Sequence, residues 1–283
     1  MSSDFVIKTM NREEIDLAME WAAREGWNPG LHDADCFYQT DPQGFLIGTI
    51  NSTPIGCISA VSYHHVFGFI GFYIVAPEYR GKGYGIRLWD AAMNRLDNQN
   101  VGLDGVLEQQ ENYKKSGFRL AYGNSRFESL SVKTVSPDRA ELRAIQEIPF
   151  HKIQEYDRQC FPAERTAFLR AWLRMPEAHG VGVVEKGELQ GYGLIRKCRR
   201  GYKIGPLFAE DPGTAEAIFL DLSSRAEEKE VVYLDIPERN PAALVLAGKY
   251  GMQKVFSTAR MYTGKEPEIP LSKVFGVTTF ELG

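Results

Sequence analysis

Several features are scarce in this sequence of 283 residues, and each absence excludes a class of protein. The four cysteines are scattered and form no CxxC pair, so neither a disulfide framework nor a zinc or other metal site is expected. The longest apolar run, residues 66–76, is far shorter than the roughly 18 residues that a membrane-spanning helix needs. No apolar segment typical of a secretory signal follows Met1, so we expect a cytoplasmic protein.

The sequence also lacks an excess of positive charge, with 33 Lys and Arg against 37 Asp and Glu and a formal net charge of −4. Nucleic acids and anionic membranes attract proteins through basic surfaces, so neither is expected as a partner. Apolar residues make up 43% and charged residues 25%, as in an ordinary globular protein. The length is natural for two domains. We expect a monomer or a homodimer.

Strand-like and helix-like segments alternate along the first half. Asn11 is expected to cap a first helix, and a second short helix ends near Thr40. Apolar and β-branched runs at residues 44–50, 55–64 and 67–75 predict three strands, the last of them central. A glycine-rich segment, a helix, a strand at residues 101–104 and a helix ending at Gly117 follow.

The second half repeats part of this pattern. Three short motifs recur in the same order, two at an offset of 134 residues and one at 131, which indicates a duplicated domain. We expect the boundary between Leu130 and Asp138, where Ser136-Pro137 breaks the pattern, giving domains of residues 1–132 and 133–283. The recurring pairs are Ile70-Gly71 with Ile204-Gly205, residues 101–104 (VGLD) with residues 232–235 (VYLD), and Gly117-Phe118 with Gly251-Met252.

The chemically informative segment is residues 74–85, IVAPEYRGKGYG. A strand runs into a glycine-rich turn that opens a helix, and glycines allow both positive φ angles and close approach to a ligand. Free N–H groups at a helix start, together with the helix dipole, can bind phosphate. The spacing fits neither the GxxxxGK[ST] of a Walker loop nor the GxGxxG of a dinucleotide-binding loop. A glycine-rich turn without a ligand is the structural alternative.

A third pattern, RxxGxG, does fit, and it resembles the pyrophosphate loop of the GNAT acetyltransferase superfamily. The resemblance implies an α/β (α+β) fold of two GNAT-like domains, each a mixed, largely antiparallel twisted sheet flanked by helices. It also implies acetyl-CoA as the co-substrate. The implied cofactor-binding residues are Ile74, Val75, Arg80, Gly81, Lys82, Gly83, Tyr84 and Gly85.

A second family feature lies in the helix that ends at Gly117-Phe118. Residues 113–118, YKKSGF, resemble the family's Y-x-x-x-G-F, whose tyrosine usually protonates the departing CoA thiolate. Tyr113 is therefore the expected catalytic acid, because a phenol of pKa near 10 can donate to a thiolate whose thiol titrates at roughly 8.5. Packing of the Tyr113 ring on the sheet is the alternative, and Val106 stands where the family usually has asparagine.

The second half lacks both features. The segment from Asn240 to Met252 fits the family's N-x-x-A-x-x-L-Y-x-x-x-G-F spacing, but Ala247 stands at the tyrosine position. The glycine loop is replaced by Glu210-Asp-Pro-Gly213, whose two acids would repel a pyrophosphate. We therefore expect a degenerate GNAT-like domain that helps to close the acceptor pocket. The whole arrangement resembles the tandem YitH-like acetyltransferases.

The resemblance places the acceptor near the connection between the first two helices. Trp27 could form an apolar or cation–π wall, and Glu25 or Asp33 could pair with an ammonium group. Asn28 lies in the same connection, and Arg165 of the second half would suit an acceptor carboxylate. The structural alternatives are turn formation for Asn28, helix capping for Asp33 and surface solvation for Arg165.

The predicted reaction is direct transfer of an acetyl group to a primary amine of a small molecule. An uncharged amine attacks the thioester carbonyl, which a backbone N–H near Val75 polarises, while Tyr113 protonates the leaving thiolate. Candidate general bases, acting through water, are Glu25, Asp33 and Glu108. Two other functions stay open: an acyl-CoA sensor without catalysis, and an acetyltransferase for protein lysines or N-termini. A covered pocket would favour a small molecule, whereas an open groove would favour a peptide.

Overall fold

The computed structural model describes residues 5–133 and 142–283, and the strands in these ranges form one mixed sheet. Each half has the order of strands and helices β-α-α-β-β-β-α-β-α-β, and the second half adds one short strand at its end. This shared order agrees with the duplication that the recurring motifs predicted. Ser136-Pro137 lies outside the described residues, so the domain boundary stays a prediction.

The first half contributes strands β1 to β6 and helices α1 to α4. These are β1 Phe5–Thr9, α1 Arg12–Arg24, α2 Asp33–Thr40, β2 Phe45–Ile50, β3 Thr53–Tyr63, β4 Phe67–Val75, α3 Tyr84–Arg95, β5 Asn100–Val106, α4 Gln110–Lys115 and β6 Arg119–Leu130. The predicted cap of α1 is confirmed, because the Asn11 side chain accepts the N–H of Glu14 and the Glu14 carboxylate accepts the N–H of Asn11.

The second half contributes strands β7 to β13 and helices α5 to α8. These are β7 Leu142–Ala144, α5 Phe150–Cys160, α6 Thr166–Trp172, β8 Ala178–Glu185, β9 Glu188–Lys197, β10 Tyr202–Ala209, α7 Pro212–Arg225, β11 Val231–Pro237, α8 Pro241–Lys249, β12 Gln253–Tyr262 and β13 Val274–Gly276. None of the described helices combines the length and the apolar character that crossing a bilayer requires.

The two halves exchange their last strands. The sheet order is β1-β2-β3-β4-β5-β12-β6-β11-β10-β9-β8-β7, so β12 of the second half pairs with β5 and β6 of the first half, and β6 also pairs with β11. Two buried ion pairs accompany the exchange. Arg126 on β6 pairs with Asp235 on β11, and Arg260 on β12 pairs with Asp104 on β5. Each half therefore supplies an arginine to an aspartate of the other half.

Helices from both halves share a hydrophobic core. Residues of α1, α2, α5 and α6 belong to one continuous buried cluster, in which the ring of Phe37 stacks on that of Trp172 with centroids 6.1 Å apart. Residues of α3 and α4 lie in a second cluster, and those of α7 and α8 in a third. The burial of apolar surface between the halves therefore holds them together along with the exchanged strands.

The strand pair that forms the site diverges near its centre. Parallel pairing of β4 with β5 ends at Ile70 and Leu103. On its other side β4 carries an extra residue against β3, and Phe72 has a φ of 47° at this bulge. Beyond Ile70 the two strands separate, and a cavity opens between them.

Candidate active site

The cavity between β4 and β5 has a volume of about 590 Å³, the size of a small-molecule site. Its wall includes residues of the glycine-rich loop, several aromatic rings and a set of polar side chains. Both halves of the chain contribute to its wall. Lining residues that bear on the chemistry are Glu25, Trp27, Ile74, Val75, Arg80, Gly81, Gly85, Trp89, Asp104, Glu108, Tyr113, Arg126, Phe256, Thr258, Phe280 and Glu281.

The start of α3 has the features of a phosphate cradle. Gly81 and Gly83 have φ angles of 72° and 83°, which favour glycine. A Cβ atom built on either glycine would meet no atom of the structure within 4 Å, so the turn faces open space. Within the described chain α3 has no side-chain cap and no acid in its first turn. Its first N–H groups are therefore available to an anion, and the cradle fits a pyrophosphate.

Arg80 braces the loop. Its Nε donates to the carbonyl oxygen of Val75 at 2.7 Å, and its Nη2 donates to the carboxylate of Glu25 at the end of α1. The guanidinium thus ties the loop to β4 and to α1. Ile74 and Val75 line the cavity at the point where β4 ends.

The other loop residues have distinct positions. The Nζ of Lys82 lies 5.6 Å from the ring centroid of Tyr79, and the ring of Tyr84 packs on that of Phe5 with centroids 5.0 Å apart. A Cβ on Gly85 would lie 2.7 Å from the hydroxyl of Tyr73, so this position needs glycine for close packing.

Tyr113 lines the same cavity from α4. Its side chain is buried, with 8% of its surface exposed, and its ring stacks on Trp89 with centroids 5.5 Å apart. Burial, with a smaller contribution from Tyr73, raises the pKa of Tyr113 to about 12. The phenol is therefore protonated at neutral pH and can donate a hydrogen bond or a proton.

The corresponding helix of the second half has a different start. The Asp211 carboxylate accepts the N–H groups of Gly213 and Thr214, at 2.8 and 3.0 Å, and so caps α7. The Asp211 carboxylate thus occupies the first N–H groups of α7, whereas among the described residues the corresponding N–H groups of α3 have no side-chain cap. Ala247 is buried among the apolar side chains around α8.

The sequence-predicted acceptor residues divide into two groups. Glu25 and Trp27 line the cavity, whereas Asn28 does not. The side-chain amide of Asn28 exchanges two hydrogen bonds of 2.9 Å with the backbone of Arg200 in the second half. Asn28 therefore attaches the connection between α1 and α2 to the second half.

Asp33 and Arg165 are buried in ion pairs and do not line the cavity. Arg196 donates from Nε to Asp33 at 2.8 Å, and the same carboxylate accepts the N–H of Gly30. Arg165 forms a two-bond pair with Asp157, at 2.9 and 2.7 Å. The charges of Asp33 and Arg165 are therefore each paired inside the protein, and neither side chain is available to a ligand in the cavity.

The structure also brings residues to the cavity that sequence reasoning missed. Arg126, Phe256 and Thr258 come from the exchanged strands, and Phe280 and Glu281 come from the segment after β13. The only sequence signal for these residues is that Arg126 recurs as Arg260 at the same offset of 134 residues as the motifs. Of the three candidate bases, Glu108 and Glu25 line the cavity, and Glu25 is already paired with Arg80.

A diverging strand pair, an uncapped glycine-rich helix start and a buried tyrosine form the arrangement of a GNAT site. Two family models match the chain, an acetyltransferase (GNAT) family model over residues 12–118 and an acetyltransferase (GNAT) domain model over residues 153–276. The holothin acyltransferase of Pseudoalteromonas sp. (strain SANK 73390) is 34% identical over 280 residues, covering 98% of this chain and 94% of that protein.

Two further proteins are similar to this chain along its full length. The uncharacterised N-acetyltransferase YitH of Bacillus subtilis (strain 168) is 24% identical, with 99% of each chain covered. A Pyrococcus horikoshii protein assigned as an acetyltransferase superposes with a TM-score of 0.84 at 23% identity, covering 99% of this chain and 96% of that one. This chain belongs to the GNAT superfamily. It is an acetyltransferase with two GNAT domains, of the tandem YitH-like type, as the sequence predicted.

Proposed function

We propose that this enzyme moves an acetyl group from acetyl-CoA to a primary amine of a small molecule, in the cavity of its first half. The observation that carries the proposal is the continuity of that cavity. The same cavity is lined by Arg80 and Gly81 of the loop before α3, by Tyr113 and by residues of the second half.

The donor is proposed to lie along β4. Its pyrophosphate would bind the N–H groups around Gly81 and Gly83, with its thioester between the diverged strands. The N–H of Ala76 donates to Ile55 of β3, and the hydrogen-bonding groups of successive strand residues point to opposite edges. The N–H of Val75 accordingly points away from β3, toward β5, which supports its role in polarising the thioester carbonyl.

The chemistry is a direct displacement. The amine nitrogen bonds to the thioester carbon, the C–S bond breaks, and Tyr113 donates its phenolic proton to the CoA sulfur. The proton that the nitrogen loses on becoming an amide restores the phenol. The raised pKa of Tyr113 supports this role, because it keeps the donor protonated.

The shape and composition of the cavity favour a small acceptor over a protein side chain. Residues of the second half, among them Phe256 and Phe280, supply part of the cavity wall. Trp27 adds a further aromatic wall, suited to an apolar or cationic group. The 34% identical relative is a holothin acyltransferase, which makes holothin one acceptor to test.

The test is a thiol-release assay with acetyl-CoA and a panel of primary amines. The panel contains benzylamine, tyramine, glucosamine, spermidine, holothin and two lysine peptides, and mass spectrometry identifies each product. The expected result is acetylation of one or more small amines, with a rate that is at least about 10-fold lower in a Tyr113→Phe variant that still binds acetyl-CoA. Acetylation of the peptides alone would favour the protein acetyltransferase. Tight acetyl-CoA binding without transfer to any acceptor would favour the sensor.

A further inference from the structure

Two buried polar groups of the second half line the cavity without a partner. Glu281 is 6% exposed and Thr258 is 2% exposed. Among the described residues, neither the Oε2 of Glu281 nor the Oγ1 of Thr258 has a hydrogen-bond partner. Buried polar groups are almost always hydrogen-bonded, because an unmet bond costs roughly 1–3 kcal/mol. Two such groups in one cavity indicate a place built for a polar ligand group.

Glu281 is held in a defined place. Residues 281–283 run beside β4, and a Cβ on Gly71 would lie only 2.1 Å from the carbonyl oxygen of Glu281. The segment is fixed by hydrogen bonds, from Val277 N to the Asp235 carbonyl and from the hydroxyl of Tyr63 to the carbonyl of Leu282. Gly71 lies three residues before Ile74, so Glu281 is close to the proposed thioester position.

Thr258 is placed by the strand exchange. It lies opposite Val106 of β5 and Asn124 of β6, in the middle of the inserted strand. Val106 itself lines the cavity, at the end of β5 where the strands have separated. Thr258 thus comes from the second half but lines a cavity whose cofactor loop belongs to the first.

Three buried cations lie near Glu281, namely Arg126, Arg196 and Lys203, and each already has another hydrogen-bond partner. Arg126 donates to both carboxylate oxygens of Asp235 at 2.7 Å and to the carbonyl of Trp27 at 2.9 Å. Although burial opposes its charge, the carboxylates of Asp235 and then Glu281 raise the pKa of Arg126. Arg126 is therefore a fixed cation, Arg196 is held by Asp33, and Lys203 donates to the carbonyl of Asn28. Among the described residues, none of the three donates a hydrogen bond to the Oε2 of Glu281.

We propose that Glu281 and Thr258 form the subsite for the acceptor amine. The acceptor enters as an ammonium ion, which the carboxylate of Glu281 binds while the hydroxyl of Thr258 accepts one of its N–H bonds. Trp27, Phe256 and Phe280 surround the carbon skeleton. The acceptor class is thus a primary ammonium on an apolar or aromatic body. The subsite rests on the transfer reaction proposed above.

The proton transfers balance. Glu281 takes one proton from the ammonium ion, and the neutral amine then attacks the thioester carbon. The second proton leaves the nitrogen as the amide forms and restores Tyr113, whose own proton has gone to the CoA sulfur. Glu281 releases its proton to solvent when the product leaves. The sum is one amide, one thiol and one proton from an ammonium ion and a thioester.

The test measures steady-state kinetics for benzylamine, tyramine and the other panel amines with Glu281→Gln, Thr258→Val and Thr258→Ser. Glu281→Gln should lower kcat/KM for each accepted amine at least 10-fold, through a higher KM and a lower kcat, because the variant loses both the counter-charge and the proton acceptor. Thr258→Val should raise KM several-fold, and Thr258→Ser should restore it because the hydroxyl returns. The acetyl-CoA Kd should stay within two-fold of the wild-type value. Glu188→Gln, an exposed change on β9, should match wild type.

The outcomes separate the two proposals. An unchanged amine KM in Glu281→Gln, with transfer intact in the wild type, would overturn the subsite and leave the transfer reaction standing. If the wild type acetylates no amine at all, the transfer reaction and the subsite both fail. If Glu281→Gln does not fold, as a melting curve would show, the amine KM values of Thr258→Val and Thr258→Ser test the subsite instead. Equal amine KM values in those two variants would then overturn it.

Discussion

Asp33 and Arg196 form an ion pair that joins the two halves of the molecule. Their side chains are 1% and 0% exposed, and the guanidinium lies over the ring of Trp172 at 4.5 Å. Asp33 also accepts the N–H of Gly30, so the pair fixes the connection between α1 and α2 that carries Trp27. One wall of the cavity therefore depends on the second half.

Asp33→Ala should destabilise the protein by roughly 3–5 kcal/mol, because it leaves the guanidinium of Arg196 buried without its counter-charge. Asp35→Ala is a matched control on the same helix, since Asp35 also pairs with an arginine, Arg12, but is 56% exposed. Asp35→Ala should lower the free energy of unfolding by at most about 1 kcal/mol. Chemical denaturation measures the free energy of unfolding of both variants. Equal losses of stability in Asp33→Ala and Asp35→Ala would contradict a structural role for the buried Asp33–Arg196 pair.

Gly83→Val should weaken acetyl-CoA binding at least 10-fold, because a branched side chain would fill the space that faces the N–H groups of α3. Gly187→Val is the matched control, with a φ of 84° and likewise no atom within 4 Å of the added Cβ. Both changes carry a similar backbone strain of roughly 1–2 kcal/mol. Calorimetry should show a loss of affinity only at position 83, and equal affinities would remove the loop from the donor site.

Tyr113→Phe should keep acetyl-CoA binding and lower kcat by roughly 10- to 1,000-fold, as expected when a general acid is removed. Tyr202→Phe, which removes a hydroxyl that contacts Glu227 instead, should leave kcat unchanged. A normal kcat in Tyr113→Phe would exclude the phenol from the mechanism.

The pH dependence of kcat should reflect the burial of Tyr113. Its pKa is raised from 10 to about 12, so the protonated donor persists as the pH rises and is lost only near the higher value. The wild-type kcat should therefore show no decline with an apparent pKa near 10. Measurement of kcat from pH 7 to pH 10.5 checks this, and a fall centred at pH 10 would indicate a solvent-exposed phenol.

Local patterns predicted much of the fold. The Asn11 cap, the strand from Phe67 to Val75 and the helix after Gly83 each depend on neighbouring residues, so short-range rules suffice for them. The duplication was visible because equivalent motifs recur at nearly constant spacing.

The exchanged strands and the polar residues that the second half adds to the cavity could not be predicted from local patterns. Asp33 has the spacing of a helix-start residue, and nothing near it in sequence identifies Arg196, 163 positions away, as its partner. Glu281 is likewise brought to Gly71 by the path of the chain after β13 rather than by a motif. Long-range pairing decides the role of such residues.

We propose that a single donor site, in the first half, serves the whole chain. Calorimetric titration of acetyl-CoA into the full-length protein tests it most directly, with wild type, Gly83→Val and Asp211→Ala compared. One site per chain should be found in the wild type, should be lost in Gly83→Val, and should not become two when the α7 cap is removed. Two sites per chain, or one site that survives Gly83→Val unchanged, would contradict the account.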